Sequence, residues 1–214
     1  MRYLTEHYGA KPQLARAILS TTAPKPRNVT ATASERAQLL AAAPLNVRLW
    51  LLLCSDMGIR SGTASRLGPQ HYDPDNGVMT FTTKYQNAQR MQVTEEIRSL
   101  LKLALGDPDL PFVSQMPIGK GRYVRQCYNG KSLGNKFADL RRECGITRKL
   151  TPHDLRRTTA RAVYRISGDM RVAQAFLGHS NLGSTVVYLQ DDLVHVDLSV
   201  LELAKLNPTT EAIQ

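Results

Sequence analysis

The sequence has few cysteines and no long apolar segment. Its three cysteines, Cys54, Cys127 and Cys144, lie far apart, and their spacing fits neither a disulfide framework nor a zinc site. We therefore expect buried free thiols in a reducing compartment. The longest apolar run, Leu49 to Cys54, is too short to cross a bilayer, and the N-terminus lacks the apolar core of a signal peptide. These absences favour a cytoplasmic protein without a membrane segment.

Acidic residues are outnumbered, and the imbalance is confined to one segment. The chain has 28 Lys and Arg against 18 Asp and Glu, which gives a formal net charge of +10. Residues 116–171 contain 14 of the basic residues and only 4 of the acidic ones, so the remainder of the chain is balanced. This segment is either a solvated basic face or a surface that follows the phosphates of a polyanion. The second interpretation predicts strongly salt-dependent binding.

Length and periodicity predict one domain with a mainly helical α+β fold. At 214 residues and 42% hydrophobic content, the chain can bury one substantial core. An Asp-Asn-Gly sequence at 75–77 predicts a hairpin turn, because type I′ geometry requires positive φ at its central residues. We expect strands at 78–84 and 89–93, a loop at 106–125, and helices at 34–43, 46–57, 94–105, 132–144 and 170–177.

A further helix is expected to begin at a motif with four polar side chains. Thr151 is suited to the N-cap, Pro152 to the first helical position and Asp154 to a capping box. His153 and Arg156 are three residues apart, so they share a helix face beside backbone N–H groups that have no partner within the helix. Such a helix start is a favourable place for an anion.

A second motif follows at the end of the next predicted helix. Gly178 is expected to end that helix in the left-handed conformation and to turn the chain at His179. Tyr188 comes nine residues after this histidine. The two motifs therefore place two imidazoles, a guanidinium and a phenol at helix ends.

These residues resemble the tyrosine recombinases, the phage integrase family. Its members carry a His-x-x-Arg box, then Leu-Gly-His, then a nucleophilic tyrosine nine residues after that histidine. His153-Asp-Leu-Arg156, Leu177-Gly-His179 and Tyr188 follow this order and spacing. A lone His-x-x-Arg would be weak support, whereas the three elements together are specific.

The resemblance extends upstream to an arginine and a lysine. Gly58-Ile-Arg60 matches the family's Gly-(Leu/Ile)-Arg element, in which the arginine grips the scissile phosphate. Three residues later the family usually has an acid that supports this arginine, and this chain has Thr63, so we expect a hydroxyl or a backbone carbonyl to hold Arg60 instead. Lys84 corresponds to the catalytic lysine that the family carries on a hairpin. A lysine at a strand end is also a common device against edge pairing.

The resemblance implies three segments. Residues 1–33 would be a helical fragment with a proline-containing linker, residues 34–190 the tyrosine recombinase catalytic domain with a small antiparallel sheet, and residues 191–214 a C-terminal helix and tail. The family usually places a separate DNA-binding domain before the catalytic one, and we expect it to be missing here or reduced to its last helix. The C-terminal helix would pack either on its own core or, in trans, on a neighbouring subunit.

The implied function is that of a site-specific DNA recombinase, an integrase of a phage or other mobile element. It would cleave and rejoin DNA through a covalent 3′-phosphotyrosyl intermediate, with no metal or other cofactor. An unperturbed phenol has a pKa of ~10, so the site must help the tyrosine to lose its proton. The expected catalytic residues are Tyr188 as nucleophile, His153 as proton acceptor, Lys84 as general acid, and Arg60, Arg156 and His179 as ligands of the phosphate oxygens.

The expected partner is double-stranded DNA, on which the protein would associate with itself, from a dimer to a tetrameric synapse. The candidates for phosphate contacts are Arg125, Lys131, Lys136, Arg141, Arg142 and Arg157. Two other functions share these features. A nicking and closing enzyme of the type IB topoisomerase kind would use the same residues without partner subunits, and a catalytically silent relative would only bind DNA.

Overall fold

The computed structural model describes residues 28–82, 88–119, 122–123 and 128–189. This part of the chain is mostly helical and has two small antiparallel sheets, which confirms the predicted α+β class. The predictions for residues 1–27 and 190–214 lie outside it. The helices are α1 (Ala33–Ala42), α2 (Leu45–Ser55), α3 (Ser61–Ala64), α4 (Glu95–Leu103), α5 (Gly130–Glu143), α6 (Pro152–Ser167), α7 (Met170–Leu177) and α8 (Leu182–Leu189).

Helix α2 is the centre of the main core. Five consecutive residues, Leu49 to Leu53, are each at most 1% exposed, because neighbouring elements cover this helix on nearly every side. Cys54 at its end carries a buried free thiol, as predicted, and desolvation raises its pKa to about 12. Cys144 is also a free thiol but is only half-buried, and Cys127 lies outside the described residues. The burial of α2 fixes the position of the chain that follows it, which leads to Arg60.

The first sheet contains the predicted hairpin. Strands β1 (Tyr72–Asp73), β2 (Val78–Thr82) and β3 (Ala88–Gln92) pair antiparallel in that order. The turn differs from the expected type I′ geometry, because Asp73 pairs with Val78 and leaves a four-residue loop between them. The Asp73 carboxylate accepts from the backbone N–H groups of Asp75 and Asn76, both at 3.1 Å. This side chain therefore supports a wider turn than the sequence predicted.

The segment predicted to be a loop at 106–125 contains some regular structure. A 3₁₀ helix at Phe112–Ser114 packs its side chains into the core, and β4 (Pro117–Gly119) pairs antiparallel with β5 (Arg122–Tyr123). The prolines and glycines of this segment suggested turns, but they are compatible with strands of two or three residues. Within the described residues, no helix is both long and apolar enough to cross a membrane.

Candidate active site

Helix α6 begins as the sequence predicts. The Asp154 carboxylate accepts from the backbone N–H of Thr151 at 2.8 Å and from its hydroxyl at 2.7 Å, and Pro152 occupies the first helical position. Asp154 is itself 1% exposed, so it fixes the first turn from inside the protein. This turn holds His153 at the rim of the site and Arg156 in its interior.

Arg156 connects three parts of the chain. Its side chain is 2% exposed, and its guanidinium donates to the carbonyl of Gly58 and, at 2.7 Å, to the carbonyl of Leu177. A third contact, at 3.3 Å, joins it to Nε2 of His179. Gly58 has a φ of +59°, and a Cβ at this position would lie 2.5 Å from the Phe176 ring. The guanidinium therefore holds the ends of α2 and α7 against the first turn of α6.

His179 lies where α7 ends at Gly178, in the left-handed conformation that the sequence predicted. It is 8% exposed, and its Nδ1 lies 3.0 Å from the hydroxyl of Thr185. Because a guanidinium can only donate, Nε2 accepts from Arg156 and the ring proton belongs on Nδ1, facing Thr185. The Gln174 amide donates to the His179 carbonyl at 3.0 Å. The imidazole is therefore fixed on both nitrogens.

Tyr188 projects from α8 into the same site. Its hydroxyl contacts the His153 imidazole, with a short approach to Nε2 and a distance of 3.4 Å to Nδ1. The ring meets both histidines edge-on, with centroids 5.2 Å from His153 and 5.3 Å from His179. Tyr188 is 6% exposed and belongs to a small apolar cluster with Leu177 and Leu189, separate from the main core. The structure thus brings together the tyrosine, both histidines and Arg156.

Both histidines are held in the neutral form. Desolvation, followed by the charges of Arg156 and Arg157, lowers the pKa of His153 to about 4. Desolvation, Arg156 and Arg60 lower the pKa of His179 to about 4. A neutral His153 has a lone pair available to accept the proton of the Tyr188 hydroxyl. Desolvation also lowers the pKa of Arg156, to about 10, which leaves the guanidinium charged at neutral pH.

The lowered histidine pKa values predict that the protein loses stability in mild acid. An unfolded histidine titrates near ~6.5, so between that pH and about 4 the unfolded chain binds more protons than the folded one. The histidine contribution to the free energy of unfolding should be constant above pH ~6.5 and fall as the pH approaches about 4. We expect His179 to dominate, because it is buried and His153 is the more exposed of the two imidazoles. Denaturant unfolding at several pH values measures the effect.

The control for this prediction is His179→Gln. It replaces the imidazole near Thr185 by an amide, which can hydrogen-bond but cannot gain a charge. Its stability should change less between pH 6.5 and 4 than that of the unaltered protein. Equal pH dependence in both proteins would show that the acid sensitivity comes from other groups.

Arg60 stands immediately before the short helix α3. Its carbonyl accepts from the N–H of Thr63 at 2.8 Å, and the Trp50 indole donates to the Ser61 carbonyl at 3.0 Å. The buried Trp50 therefore anchors the start of α3. The positive charge of Arg60 contributes to the lowered pKa of His153, Arg156 and His179, so it acts on this group electrostatically. That a hydroxyl or a backbone carbonyl holds the Arg60 guanidinium, in place of the family's acid, stays a prediction.

Lys84 lies outside the described residues, but the strands on either side of it do not. Strands β2 and β3 form a second hairpin, and its last pairs before Lys84 are Phe81 with Gln89 and Thr82 with Ala88. The Gln89 amide donates to the carbonyls of Ala175 at 2.9 Å and Phe176 at 3.3 Å, at the end of α7. The hairpin that carries Lys84 is therefore attached to the helix that ends at His179.

The candidates for phosphate contacts have different surroundings. Lys131, Lys136 and Arg142 are exposed on α5, and Arg141 is half-buried near the end of that helix, where it donates to the Arg148 carbonyl. Lys136 lies 5.6 Å from the centre of the Tyr128 ring, and Arg142 pairs with Asp139. Arg125 lies outside the described residues.

Arg157 differs from its prediction. It is 5% exposed, and its guanidinium faces Asp154, the carbonyl of Val29 and the ring of Tyr188. The charge count could not show this, because Arg157 and Arg156 are adjacent on the buried side of α6. Unlike Arg156, whose guanidinium meets backbone carbonyls and His179, Arg157 has its charge paired with the Asp154 carboxylate, so we do not retain it among the phosphate contacts.

Sequence reasoning did not identify Thr185, Gln174 or Gln89 as parts of the site. Thr185 was detectable in principle, since it is a polar residue followed by apolar ones and lies six residues after His179. The side-chain amides of Gln174 and Gln89 donate hydrogen bonds to backbone carbonyls. No sequence pattern marks a glutamine for that task.

Comparison with known proteins points to the same family as the motifs of the sequence. The model of the phage integrase family matches residues 29–194. Tyrosine recombinase XerC of Chlamydia pneumoniae is 26% identical over 148 residues, which are 68% of this chain and 47% of the relative. The chain spans about half the length of the curated relatives that it matches.

Solved structures share the fold. The crystal structure of XerA recombinase is 25% identical with a TM-score of 0.63, and the match covers 87% of this chain and 66% of the other. A lambda integrase dimer bound to a COC′ core site is 19% identical with a TM-score of 0.64, covering 85% of this chain and 53% of the other. Since the family model matches most of the chain, this protein belongs to the phage integrase family of tyrosine recombinases.

Proposed function

We propose that this protein is a site-specific DNA recombinase that cleaves and rejoins strands through a 3′-phosphotyrosyl intermediate. The observation that carries the proposal is the contact of the Tyr188 hydroxyl with the neutral imidazole of His153, beside the buried charge of Arg156. A nucleophile, a proton acceptor and a phosphate ligand thus meet in one site. The relatives that match are recombinases, which favours this function over a topoisomerase or a silent DNA-binding protein.

The proposed reaction exchanges one phosphate ester for another. The Tyr188 oxygen attacks phosphorus and gives its proton to His153, while the bond from phosphorus to the 5′ oxygen breaks. Lys84 supplies the proton that this oxygen needs. Strand exchange is the reverse reaction with a new 5′ hydroxyl, so the number of phosphodiester bonds is conserved. We therefore expect no requirement for ATP or for a metal ion.

Arg60, Arg156 and His179 are the proposed ligands of the two non-bridging oxygens. Guanidinium groups suit this task because they are planar, permanently charged and match phosphate geometry. His179 would have to change its tautomer, since its Nε2 accepts from Arg156 in the structure. Thr185 permits that change, because its hydroxyl can donate to Nδ1 as well as accept from it. A phosphate that attracts Arg156 would draw the guanidinium away from His179. Nε2 of His179, carrying the proton in the other tautomer, could then donate to a phosphate oxygen.

We further propose that residues 34–190 form the catalytic unit, with the cations of α5 following the DNA backbone. The match of the family model to residues 29–194 supports these limits. Lys131, Lys136, Arg141 and Arg142 would position the DNA without reading its sequence. Because the related lambda integrase is a dimer on DNA, we propose that this protein also associates with itself there, up to a tetrameric synapse. Such a protein would work in the cytoplasm, where DNA is accessible to it.

A covalent adduct assay tests the proposed function. The protein is incubated in EDTA with nicked duplexes that tile the DNA flanking its gene, and the products are separated in denaturing gels. A nick next to the cleaved phosphate lets the short 5′-hydroxyl strand diffuse away, which traps the phosphotyrosine. We expect an EDTA-resistant adduct on one or a few duplexes. DNA binding without any adduct would instead establish the silent binding function. Equal amounts of adduct on all duplexes would establish the topoisomerase function.

Replacing Lys84 by alanine separates the general acid from the other catalytic groups. The variant should cleave ordinary DNA on the order of 10² to 10⁴ times more slowly, which is the usual contribution of general acid catalysis. A duplex with sulfur in place of the scissile 5′ oxygen should restore most of the rate, because a thiolate leaves without being protonated. Single-turnover cleavage of the two duplexes measures both effects.

Lys131→Ala is the matched control for Lys84→Ala, since it removes an exposed lysine that we place on the DNA backbone. It should weaken binding and reduce the salt dependence by a slope of about 1. Cleavage by Lys84→Ala that stayed slow with the sulfur duplex would exclude Lys84 as the general acid.

A further inference from the structure

Arg157 is the buried cation nearest the proposed nucleophile that the reaction does not use. Its guanidinium carbon lies 5.0 Å from the centre of the Tyr188 ring, within the range of a cation–π contact. The Arg157 side chain is 6% exposed. The contact therefore takes place inside the protein, where water weakens it less than at the surface.

The guanidinium is fixed by two other partners. One nitrogen, Nη1, donates to the carbonyl of Val29 at 3.2 Å and lies 3.4 Å from the carboxylate of Asp154. Asp154 is held in turn by the backbone N–H and hydroxyl of Thr151. An arginine restrained at its donors can act as a fixed support for a ring that lies against it, and here that ring belongs to Tyr188.

The ring of Tyr188 has polar neighbours in addition to its apolar cluster. His153 and His179 meet it edge-on, at interplanar angles of 89° and 83°. Both imidazoles have other work in the proposed reaction, and the His153 contact must change when the hydroxyl turns to phosphorus. Arg157 keeps its position during this step, because its own partners take no part in the chemistry.

The same arginine also contacts the segment that precedes the first described helix. Val29 accepts from Arg157, and the Ala31 N–H donates to the hydroxyl of Thr158 at 2.8 Å. Two adjacent side chains of α6 thus hold residues 29–31. Only one of them, Arg157, also contacts Tyr188.

We propose that Arg157, held by Asp154 and by the carbonyl of Val29, is a positioning residue that aims Tyr188. The proposal rests on the proposed function, because it concerns the placement of the nucleophile. It replaces the phosphate contact that the sequence suggested for this residue.

Arg157→Gln tests the proposal, with Thr158→Val as the matched control. Both variants lose one hydrogen bond to residues 29–31, but only the first loses the cation beside Tyr188. Single-turnover cleavage at saturating DNA should be ~10- to 100-fold slower for Arg157→Gln, since misplacing a reacting group by about 1 Å has effects of this size. Thr158→Val should cleave within about twofold of the unaltered protein. The affinity of Arg157→Gln for DNA and its salt dependence should not change.

Three results would overturn the proposal. The first is a wild-type cleavage rate for Arg157→Gln. The second is an equal loss of rate in Thr158→Val, which would indicate general damage to α6. The third is weaker binding with a salt slope smaller by about 1, the mark of a phosphate contact. If Arg157→Gln does not fold, Arg157→Lys takes its place, because it keeps a charge beside Asp154. It should still cleave at least ~5-fold more slowly, and a wild-type rate would again refute the proposal.

A spectroscopic measurement separates this proposal from the proposed function. The ring signals of Tyr188 in protein labelled with ¹³C-tyrosine are identified by their absence from Tyr188→Phe. They should move or broaden in Arg157→Gln and stay in place in Thr158→Val. Unchanged signals in Arg157→Gln would refute the positioning role, even if the unaltered protein formed no adduct. Absence of adduct from the unaltered protein would refute only the proposed function.

Discussion

We expect Tyr188→Phe to abolish the covalent protein–DNA adduct and to leave DNA affinity within about twofold of the unaltered protein. The substitution removes one oxygen atom, which we assign as the nucleophile. The ring stays, with its edge-on contacts to His153 and His179 and the cation of Arg157 beside it. Denaturing gels with nicked duplexes measure the adduct, and fluorescence anisotropy with the same duplexes measures affinity.

The matched control is Tyr164→Phe, because Tyr164 also lies partly buried against the small apolar cluster that contains Tyr188. It loses the same atom on a neighbouring helix and should keep full adduct formation. Tyr188→Phe should lose no more than ~0.5–1.5 kcal/mol of stability, the net value of one hydrogen bond. Adduct formation by Tyr188→Phe would show that another residue is the nucleophile, and loss of adduct in both variants would point to damage of the cluster.

The parts of the fold that the sequence predicted depend on interactions between residues close in the chain. Asp154 reaches back three residues to Thr151, and Gly178 ends its helix through its own left-handed backbone. The Leu-rich run of α2 is apolar on every side, which predicts a buried helix. Local patterns of this kind give the starts and ends of elements to within one or two residues.

The parts that were missed depend on distant residues. The carbonyls that bind Arg156 belong to Gly58 and Leu177, which are 98 and 21 residues away along the chain. The burial of Arg157 follows from the docking of Val29, 128 residues away. A sequence pattern can identify Arg156 as a family residue without showing that it holds three elements together. It cannot distinguish a surface cation from an interior one when both lie in the same basic segment.

Arg156→Lys should reduce the single-turnover cleavage rate on the order of 10²- to 10³-fold, since one preorganised donor is worth ~2.7–4 kcal/mol in a transition state. Lysine keeps the charge but not the planar fork, so it cannot serve Gly58, Leu177 and a phosphate at once. A buried carbonyl left without its donor costs ~1–3 kcal/mol, so the variant should also unfold at a lower temperature. Rapid-quench cleavage at saturating DNA and thermal unfolding measure the two effects.

Arg142→Lys makes the same exchange at an exposed ion pair with Asp139 and should change neither property by more than a small amount. A second feature distinguishes the two sites. Burial already lowers the pKa of Arg156 to about 10, and the same burial acting on an ammonium, whose ordinary pKa is ~10.4, would bring its titration toward neutral pH. The cleavage rate of Arg156→Lys relative to the unaltered protein should therefore fall as the pH rises from 7 to 9. A constant ratio over this range would mean that the lysine stays fully charged, and that the lost rate comes from the geometry of the donor alone.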